Sequence, residues 1–99
     1  MKVYQVEDVK VGDVILLDVR TKEEWEYVYI KGALHIPLDE LEDRFNELDK
    51  KKEIVVFCHQ GGRALMAAQF LSSKGFNAGY MKGGIDEWAL KIDKGLKRY

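Results

Sequence analysis

Cys58, the only cysteine of the chain, stands where an apolar run gives way to a glycine-rich turn and then to a helical pattern. The apolar run covers Ile54–Phe57, and the turn contains Gly61 and Gly62. This order predicts a strand, a tight loop and a helix, with the sulfur at the C-terminal edge of a sheet. Loop N–H groups and the positive end of a helix dipole would there stabilise a thiolate and any anion bound to it. The pattern therefore predicts a catalytic, nucleophilic cysteine.

The residues directly after Cys58 are the candidates for substrate binding. Two glycines allow the backbone to turn its amides inward without the steric penalty of a Cβ atom. Arg63 places a cation at the start of the predicted helix, where the dipole disfavours it, and an anionic substrate would explain this position. The predicted substrate-binding residues are His59, Gln60, Gly61, Gly62 and Arg63.

Composition restricts the class of protein. The 99 residues, 46% hydrophobic and 33% charged, fit one globular domain over residues 1–99. The net charge of −1 offers no general attraction to nucleic acid or to a membrane, and the apolar runs are too short to span one. A lone cysteine cannot form an internal disulfide, and no Cys/His cluster has zinc spacing. We therefore expect a cytoplasmic protein without a metal, a nucleic-acid partner or a membrane partner.

Strand and helix patterns alternate along the chain. The strand patterns cover residues 3–6, 14–17, 33–36, 54–57 and 78–81. Such alternation predicts a mostly parallel sheet that is covered by helices on both faces. Because ligands of these sheets bind beyond the C-terminal ends of the strands, Cys58, Asp18 and the loop beginning at Lys82 should converge on one edge.

Three local signals predict where helices begin and end. Thr21 and Glu24 have the spacing of a capping box, and Asp39 is predicted to cap the next helix. Gly75 is predicted to end the helix that follows Cys58. The basic segment 94–99 is expected to be solvated.

Several motifs, in order along nearly the whole chain, resemble those of the rhodanese sulfurtransferases. They are Leu17-Asp18-Val19-Arg20, Glu24-Trp25, Lys31-Gly32-Ala33, His35-Ile36-Pro37, Cys58-His59-Gln60-Gly61-Gly62-Arg63, and Lys82-Gly83-Gly84-Ile85 with Trp88. The resemblance implies a three-layer α/β/α sandwich around a five-stranded, mostly parallel sheet. One departure is Val28-Tyr29-Ile30, where many members have Gly-His-Ile.

The resemblance also implies an activity. Cys58 would take a sulfane sulfur from thiosulfate or a similar donor, hold it as a persulfide, and pass it to cyanide, a thiol or an acceptor protein. Amides of residues 59–63 would hold the transferred sulfur, and Asp18 and Arg20 would support the site as an ion pair. No cofactor is required.

Two other functions remain open from the sequence. A persulfide carrier or partner-binding module would keep the fold and show little turnover. A cysteine phosphatase or arsenate reductase would share the pairing of a cysteine loop with an arginine. Four residues separate Cys58 from Arg63, one fewer than in the phosphatases, which favours sulfur transfer over phosphoryl chemistry.

Overall fold

Five short strands form one parallel sheet in the order β1-β5-β4-β2-β3. The structure, a computed structural model, describes residues 1–99. All four neighbouring strand pairs are parallel, which confirms the expected α/β sheet. The strands are β1 (Val3–Tyr4), β2 (Ile15–Asp18), β3 (Leu34–His35), β4 (Ile54–Phe57) and β5 (Ala78–Met81).

Helices cover both faces of the sheet and enclose two buried clusters of apolar side chains. The helices are α1 (Lys22–Tyr27), α2 (Leu41–Arg44), α3 (Gly62–Ser73) and α4 (Gly84–Lys91). Side chains of α2 and α3 belong to one cluster, and side chains of α4 belong to the other. The predicted three-layer arrangement is therefore confirmed. Every helix is too short or too polar to traverse a lipid bilayer.

Side-chain alternation along β4 decides which face each residue serves. Ile54 and Val56 join the α2/α3 cluster, whereas Val55 and Phe57 join the α4 cluster. Because successive side chains of a strand point to opposite faces, the next residue, Cys58, returns to the α3 side.

The capping prediction holds at α1 and is wrong at α2. Thr21 and Glu24 form both hydrogen bonds of a capping box at the start of α1. Asp39 lies instead inside a 3-10 turn, Leu38–Glu40, in which the Glu40 N–H donates to the Pro37 carbonyl. That tighter turn places Asp39 within the turn, not at its cap, and α2 begins without a side-chain cap.

The N-terminal strand is shorter than predicted. It covers Val3–Tyr4, because Val6–Asp8 forms a 3-10 turn instead of continuing the strand. Buried Val6 still packs into the α4 cluster. The apolar pattern at residues 3–6 therefore reflects burial of side chains and not a continuous strand.

Gly75 ends α3 as the sequence predicts. Its φ of +91° is left-handed, its N–H donates to Ser72, and the N–H of Phe76 donates back to Leu71. These two bonds form a Schellman motif that satisfies carbonyls at the helix end.

We predict that Gly75→Ala lowers the free energy of unfolding by about 1 kcal/mol, because a Cβ atom disfavours the left-handed backbone. Gly62→Ala, at the other end of the same helix, is the matched control. Gly62 lacks a left-handed φ, and a Cβ atom there would meet nothing within 4 Å. Urea denaturation measures both variants, and an equal loss in the two would contradict the prediction.

Candidate active site

The Cys58 thiol is buried at the C-terminal end of β4, in the position that the sequence predicts. Its exposed fraction is 1%. The N–H of Gly61 donates to Sγ across 3.1 Å. Gly61 has a φ of +143°, a conformation that a Cβ atom would strain, and α3 begins at the next residue. The loop therefore presents one backbone donor to the sulfur, and the first turn of α3 follows immediately.

The start of α4 holds this loop from the opposite side. The N–H of Ile85 donates to the Cys58 carbonyl at 2.9 Å, and the N–H of Asp86 donates to the His59 carbonyl at 3.2 Å. Helix N-termini carry such unpaired N–H groups, and here they find acceptors in the loop. With both carbonyls bonded to α4, the loop cannot turn them toward the sulfur.

Gly84 makes this close approach possible. Its φ is +59°, and a Cβ atom there would lie 2.4 Å from the Cys58 carbonyl oxygen. Our sequence analysis did not assign Gly84 a role in the site. The sequence signal for this close approach was the glycine at the start of the last predicted helix.

Asp18 and Arg20 form a buried ion pair beside the loop. Arg20 Nη2 lies 2.7 Å from Asp18 Oδ2, and the side chains are 0% and 1% exposed. The same nitrogen donates to the Val28 carbonyl at 2.6 Å. Burial lowers the pKa of the Arg20 guanidinium, but hydrogen bonds and Coulomb attraction to Asp18 and Tyr99 together outweigh it and raise the pKa above its usual value. The pair anchors the turn between β2 and α1, and its support for catalysis stays a prediction.

The position where this chain departs from the rhodanese motif lies outside the loop. Tyr29 is 54% exposed, and its ring lies 5.6 Å from that of Trp25. The Val28 carbonyl keeps its contact with Arg20. The departing residue Tyr29 therefore has an exposed side chain that lies beside Trp25.

Arg63 is bound by the carboxylate of Glu24, which the sequence analysis placed in a capping box and in a family motif but not in the site. Its Nη1 and Nη2 atoms lie 2.6 and 3.0 Å from the two carboxylate oxygens of Glu24. Hydrogen bonding to Arg63 holds the pKa of Glu24 well below its usual range, and the same bonds raise the pKa of Arg63. Contact between Arg63 and a substrate stays a prediction.

A cleft of about 520 Å³ opens next to Arg63, at the same edge of the sheet. Lys22 and Arg63 are its two cationic residues, and it is also lined by Glu23, Asp39 and Glu40. Cys58 does not line this cleft. No group of three His, Cys, Asp or Glu side chains comes together as a metal site.

The basic segment 94–99 is not a freely solvated tail, which corrects our expectation. The Tyr99 ring stacks on His59 with ring centroids 3.9 Å apart. Its hydroxyl donates to Glu24 at 2.6 Å and accepts from Arg20 at 3.0 Å. Arg98 pairs with Asp86 of α4. A terminal aromatic residue was the only sequence signal for this contact.

Comparison with known proteins finds one family whose members are similar to most of this chain. The sequence profile of the rhodanese-like domain family matches residues 5–91. The chain is 49% identical over 79 residues to the candidate sulfur carrier protein YrkF of Bacillus subtilis, covering 79% of this chain and 43% of that protein. It is 34% identical over 81 residues to the thiosulfate sulfurtransferase GlpE of Coxiella burnetii, covering 81% of this chain and 76% of that protein.

Other matches extend over the same region. The chain is 35% identical to a tRNA sulfurtransferase of Desulfurococcus amylolyticus but spans only 16% of its length. Among solved structures, a rhodanese-related protein from Thermoplasma volcanium has a TM-score of 0.87 at 29% identity, covering 98% of this chain and 96% of that one. The chain therefore spans less than half of two of these three curated relatives.

We predict that Gly84→Ala lowers the free energy of unfolding by about 3 kcal/mol and speeds alkylation of Cys58, because the new Cβ atom displaces the loop. Gly12→Ala is the matched control. Gly12 also has a positive φ, +101°, but a Cβ atom there would meet nothing within 4 Å. Its expected loss is about 1 kcal/mol with no change in alkylation. Urea denaturation and timed iodoacetamide labelling measure both effects, and equal results for the two variants would refute the role of Gly84.

We also predict that Tyr99 ionises well above the ordinary range of tyrosine. Burial raises the pKa of Tyr99 to about 12, and the Glu24 hydrogen bond adds to this against the opposing effect of Arg20. The neutral hydroxyl therefore stabilises the fold fully below the ordinary value of about 10, and this contribution is lost as the pH rises through about 12. The near-ultraviolet difference between wild type and Tyr99→Phe measures the midpoint. A midpoint near 10 would show that the ring does not occupy this position.

Proposed function

Because the chain belongs to the rhodanese-like domain family, we propose that it transfers sulfane sulfur through a persulfide on Cys58. The observation that supports this proposal is the lone thiol at the end of β4, with the Gly61 N–H directed at its sulfur. A thiolate in this position gains a hydrogen-bond donor and lies at the start of α3, where the helix dipole favours negative charge.

In the first half-reaction, the Cys58 thiolate attacks the outer sulfur of the donor. With thiosulfate, the new Sγ–S bond forms as the donor S–S bond breaks, and sulfite leaves with the electron pair. In the second half-reaction, an acceptor nucleophile attacks the terminal sulfur, and the Cys58 thiolate leaves. Cyanide becomes thiocyanate, and a thiol becomes a persulfide. Such a two-step exchange through a covalent intermediate is nucleophilic catalysis.

Backbone amides would stabilise the terminal sulfur of the persulfide. The N–H groups of Gly62 and Arg63 begin α3, where a helix has no internal acceptors for its first N–H groups. The bonds from α4 to the Cys58 and His59 carbonyls keep those carbonyls away from the developing charge. This arrangement supplies the electrostatic stabilisation of an oxyanion hole, applied to one sulfur atom.

A persulfide carrier is the second candidate, and the similarity to YrkF favours it. A carrier and an enzyme would share the same Cys58 persulfide and differ in turnover. The donor is a small sulfane-sulfur compound, thiosulfate among the candidates. The acceptor is cyanide, a thiol or a protein. We propose neither a nucleic-acid nor a membrane partner, and a sole free thiol suits the reducing cytoplasm.

We further propose that residues 1–99 form one rhodanese-like domain. The family match ends at residue 91, but the residues beyond it pack onto the same body. Leu96 packs against the α4 cluster, and Tyr99 contacts His59 of the loop.

We predict that thiosulfate adds about 32 Da to the intact protein, and that cyanide or dithiothreitol removes this mass, because the terminal persulfide sulfur is electrophilic. Cys58→Ser is the matched control and should show neither the adduct nor thiocyanate. Sulfinic acid adds a similar mass but resists dithiothreitol, so reversal distinguishes the two. Thiocyanate production that survives in Cys58→Ser would overturn the proposal.

The same assay separates the two candidates. A sulfurtransferase releases many equivalents of thiocyanate per protein when both thiosulfate and cyanide are present. A carrier with a specific acceptor releases about one equivalent of sulfite in a burst as thiosulfate loads Cys58, and then forms thiocyanate only slowly.

A further inference from the structure

We propose that Glu24 determines donor specificity, because its ion pair with Arg63 disfavours dianionic thiosulfate and favours a donor with a single negative charge, such as a persulfide or a thiosulfonate. This inference rests on the proposed sulfur transfer at Cys58 and names the class of donor for that site.

The Glu24 carboxylate occupies the fork of the Arg63 guanidinium. The two hydrogen bonds measure 2.6 and 3.0 Å, which is the bidentate arrangement that arginine forms with carboxylates. An anionic donor that used the same fork would have to displace Glu24. Arg63 is therefore a neutralised cation and not a free anion-binding group.

Other contacts hold Glu24 in place. The Tyr99 hydroxyl donates to Oε2 at 2.6 Å, and the Thr21 N–H donates to Oε1 at 3.1 Å. Because hydrogen bonds to Arg63 hold the pKa of Glu24 well below its usual range, the carboxylate keeps its charge at every working pH. The side chains of Arg63 and Glu24 are 35% and 19% exposed, so the pair is partly shielded from water.

The two other arginines near the loop do not compensate for this pairing. Arg20 is fully buried against Asp18, and Arg98 is paired with Asp86. The cleft beside Arg63 is lined by three carboxylates against two cations. A dianion that approaches through this cleft therefore meets no excess of positive charge, and its electrostatic cost is about twice that of a monoanion.

The test compares two donors that differ by one charge. Methanethiosulfonate is thiosulfate with one oxygen replaced by a methyl group, and it carries one negative charge instead of two. Transfer of its outer sulfur to Cys58 releases methanesulfinate with the electron pair. The kcat/KM of each donor is measured with cyanide as acceptor in the wild type and in Glu24→Gln. Intrinsic differences in donor reactivity cancel in the comparison between proteins.

Glu24→Gln frees Arg63 and leaves the start of α1 intact, because glutamine also serves at this position of a capping box. We expect kcat/KM for thiosulfate to rise about tenfold, equivalent to about 1.4 kcal/mol, mainly through a lower KM. For methanethiosulfonate we expect a rise of about threefold, because the Coulomb energy scales with the charge of the donor. A purely structural role for Glu24 would change both donors equally.

Two further variants isolate the pair. Glu26→Gln removes the same charge from the same helix, at an exposed residue that forms none of the ion pairs, and should leave the donor ratio unchanged. The double variant Glu24→Gln/Arg63→Gln removes both charges, and its thiosulfate kcat/KM should return to within about twofold of wild type.

The outcomes distinguish this inference from the proposed function. Absence of transfer from both donors in the wild type would refute the function. Transfer with the same donor ratio in wild type and Glu24→Gln would refute only the role of Glu24. A lower thiosulfate kcat/KM in Glu24→Gln would show that Glu24 orients Arg63 to bind the dianion, which is the opposite conclusion.

A binding measurement tests the inference without the Glu24 variant. In Cys58→Ser, which cannot accept sulfur, the guanidinium N–H resonances of Arg63 are followed by NMR during a thiosulfate titration. We expect these resonances to remain unshifted, because the Glu24 carboxylate stays hydrogen-bonded to both Nη atoms of Arg63. A saturating shift with a Kd below about 1 mM would show that thiosulfate displaces Glu24 and would overturn the inference.

Discussion

The hydrogen bonds from the first turn of α4 to the Cys58 and His59 carbonyls are the constraint on which the site depends. They connect the last helix to the end of the central strand β4. A loop of this kind can bind an anion only when its carbonyls face away and its amides face the ligand. Gly84 permits the contact, since a Cβ atom would overlap with the backbone of the loop. The geometry around the sulfur is therefore maintained from outside the loop as much as from within it.

Around this loop, the arginines have their own carboxylate partners. Arg20 is paired with Asp18, Arg63 with Glu24, and Arg98 with Asp86. Tyr99 connects the first two pairs, because its hydroxyl bonds to both Arg20 and Glu24. Buried or half-buried charges are tolerated when they are paired, and the pairing also removes them as free ligands for anions. In the proposed transfer, stabilisation of the terminal sulfur would therefore come mainly from the backbone.

Family membership and the individual side chains of this chain give different information about its function. Membership in the rhodanese-like domain family identifies the class of chemistry, sulfur transfer or sulfur carriage. In the proposed mechanism the choice of donor depends on side chains outside the Cys58 loop, since loop amides would hold the sulfur atom of any sulfane donor. Glu24 lies on α1, far from Cys58 in sequence, and it acts on the site through Arg63.

The parallel sheet, the position of Cys58 and the main helix boundaries were predictable from the local sequence pattern. The strands at 54–57 and 78–81 have the predicted bounds, because a central strand buried on both faces is a continuous apolar run. Thr21 and Gly75 were also predictable, since caps depend on residues only a few positions away. Edge strand β1 and the start of α2 were mispredicted where 3-10 turns replaced the expected elements.

The partners of the charged side chains follow from the packing of distant elements and were not predictable from the sequence. Glu24 and Arg63 are 39 positions apart, and Glu24 and Tyr99 are 75 positions apart. Glu24 satisfies its local capping pattern completely, so nothing in the sequence indicated that its carboxylate also binds an arginine of another helix. Such contacts depend on how α1, α3 and the segment after α4 pack together. The local periodicity of apolar residues indicates which face of a helix or strand is buried. It does not indicate which distant side chain will contact a given charged residue.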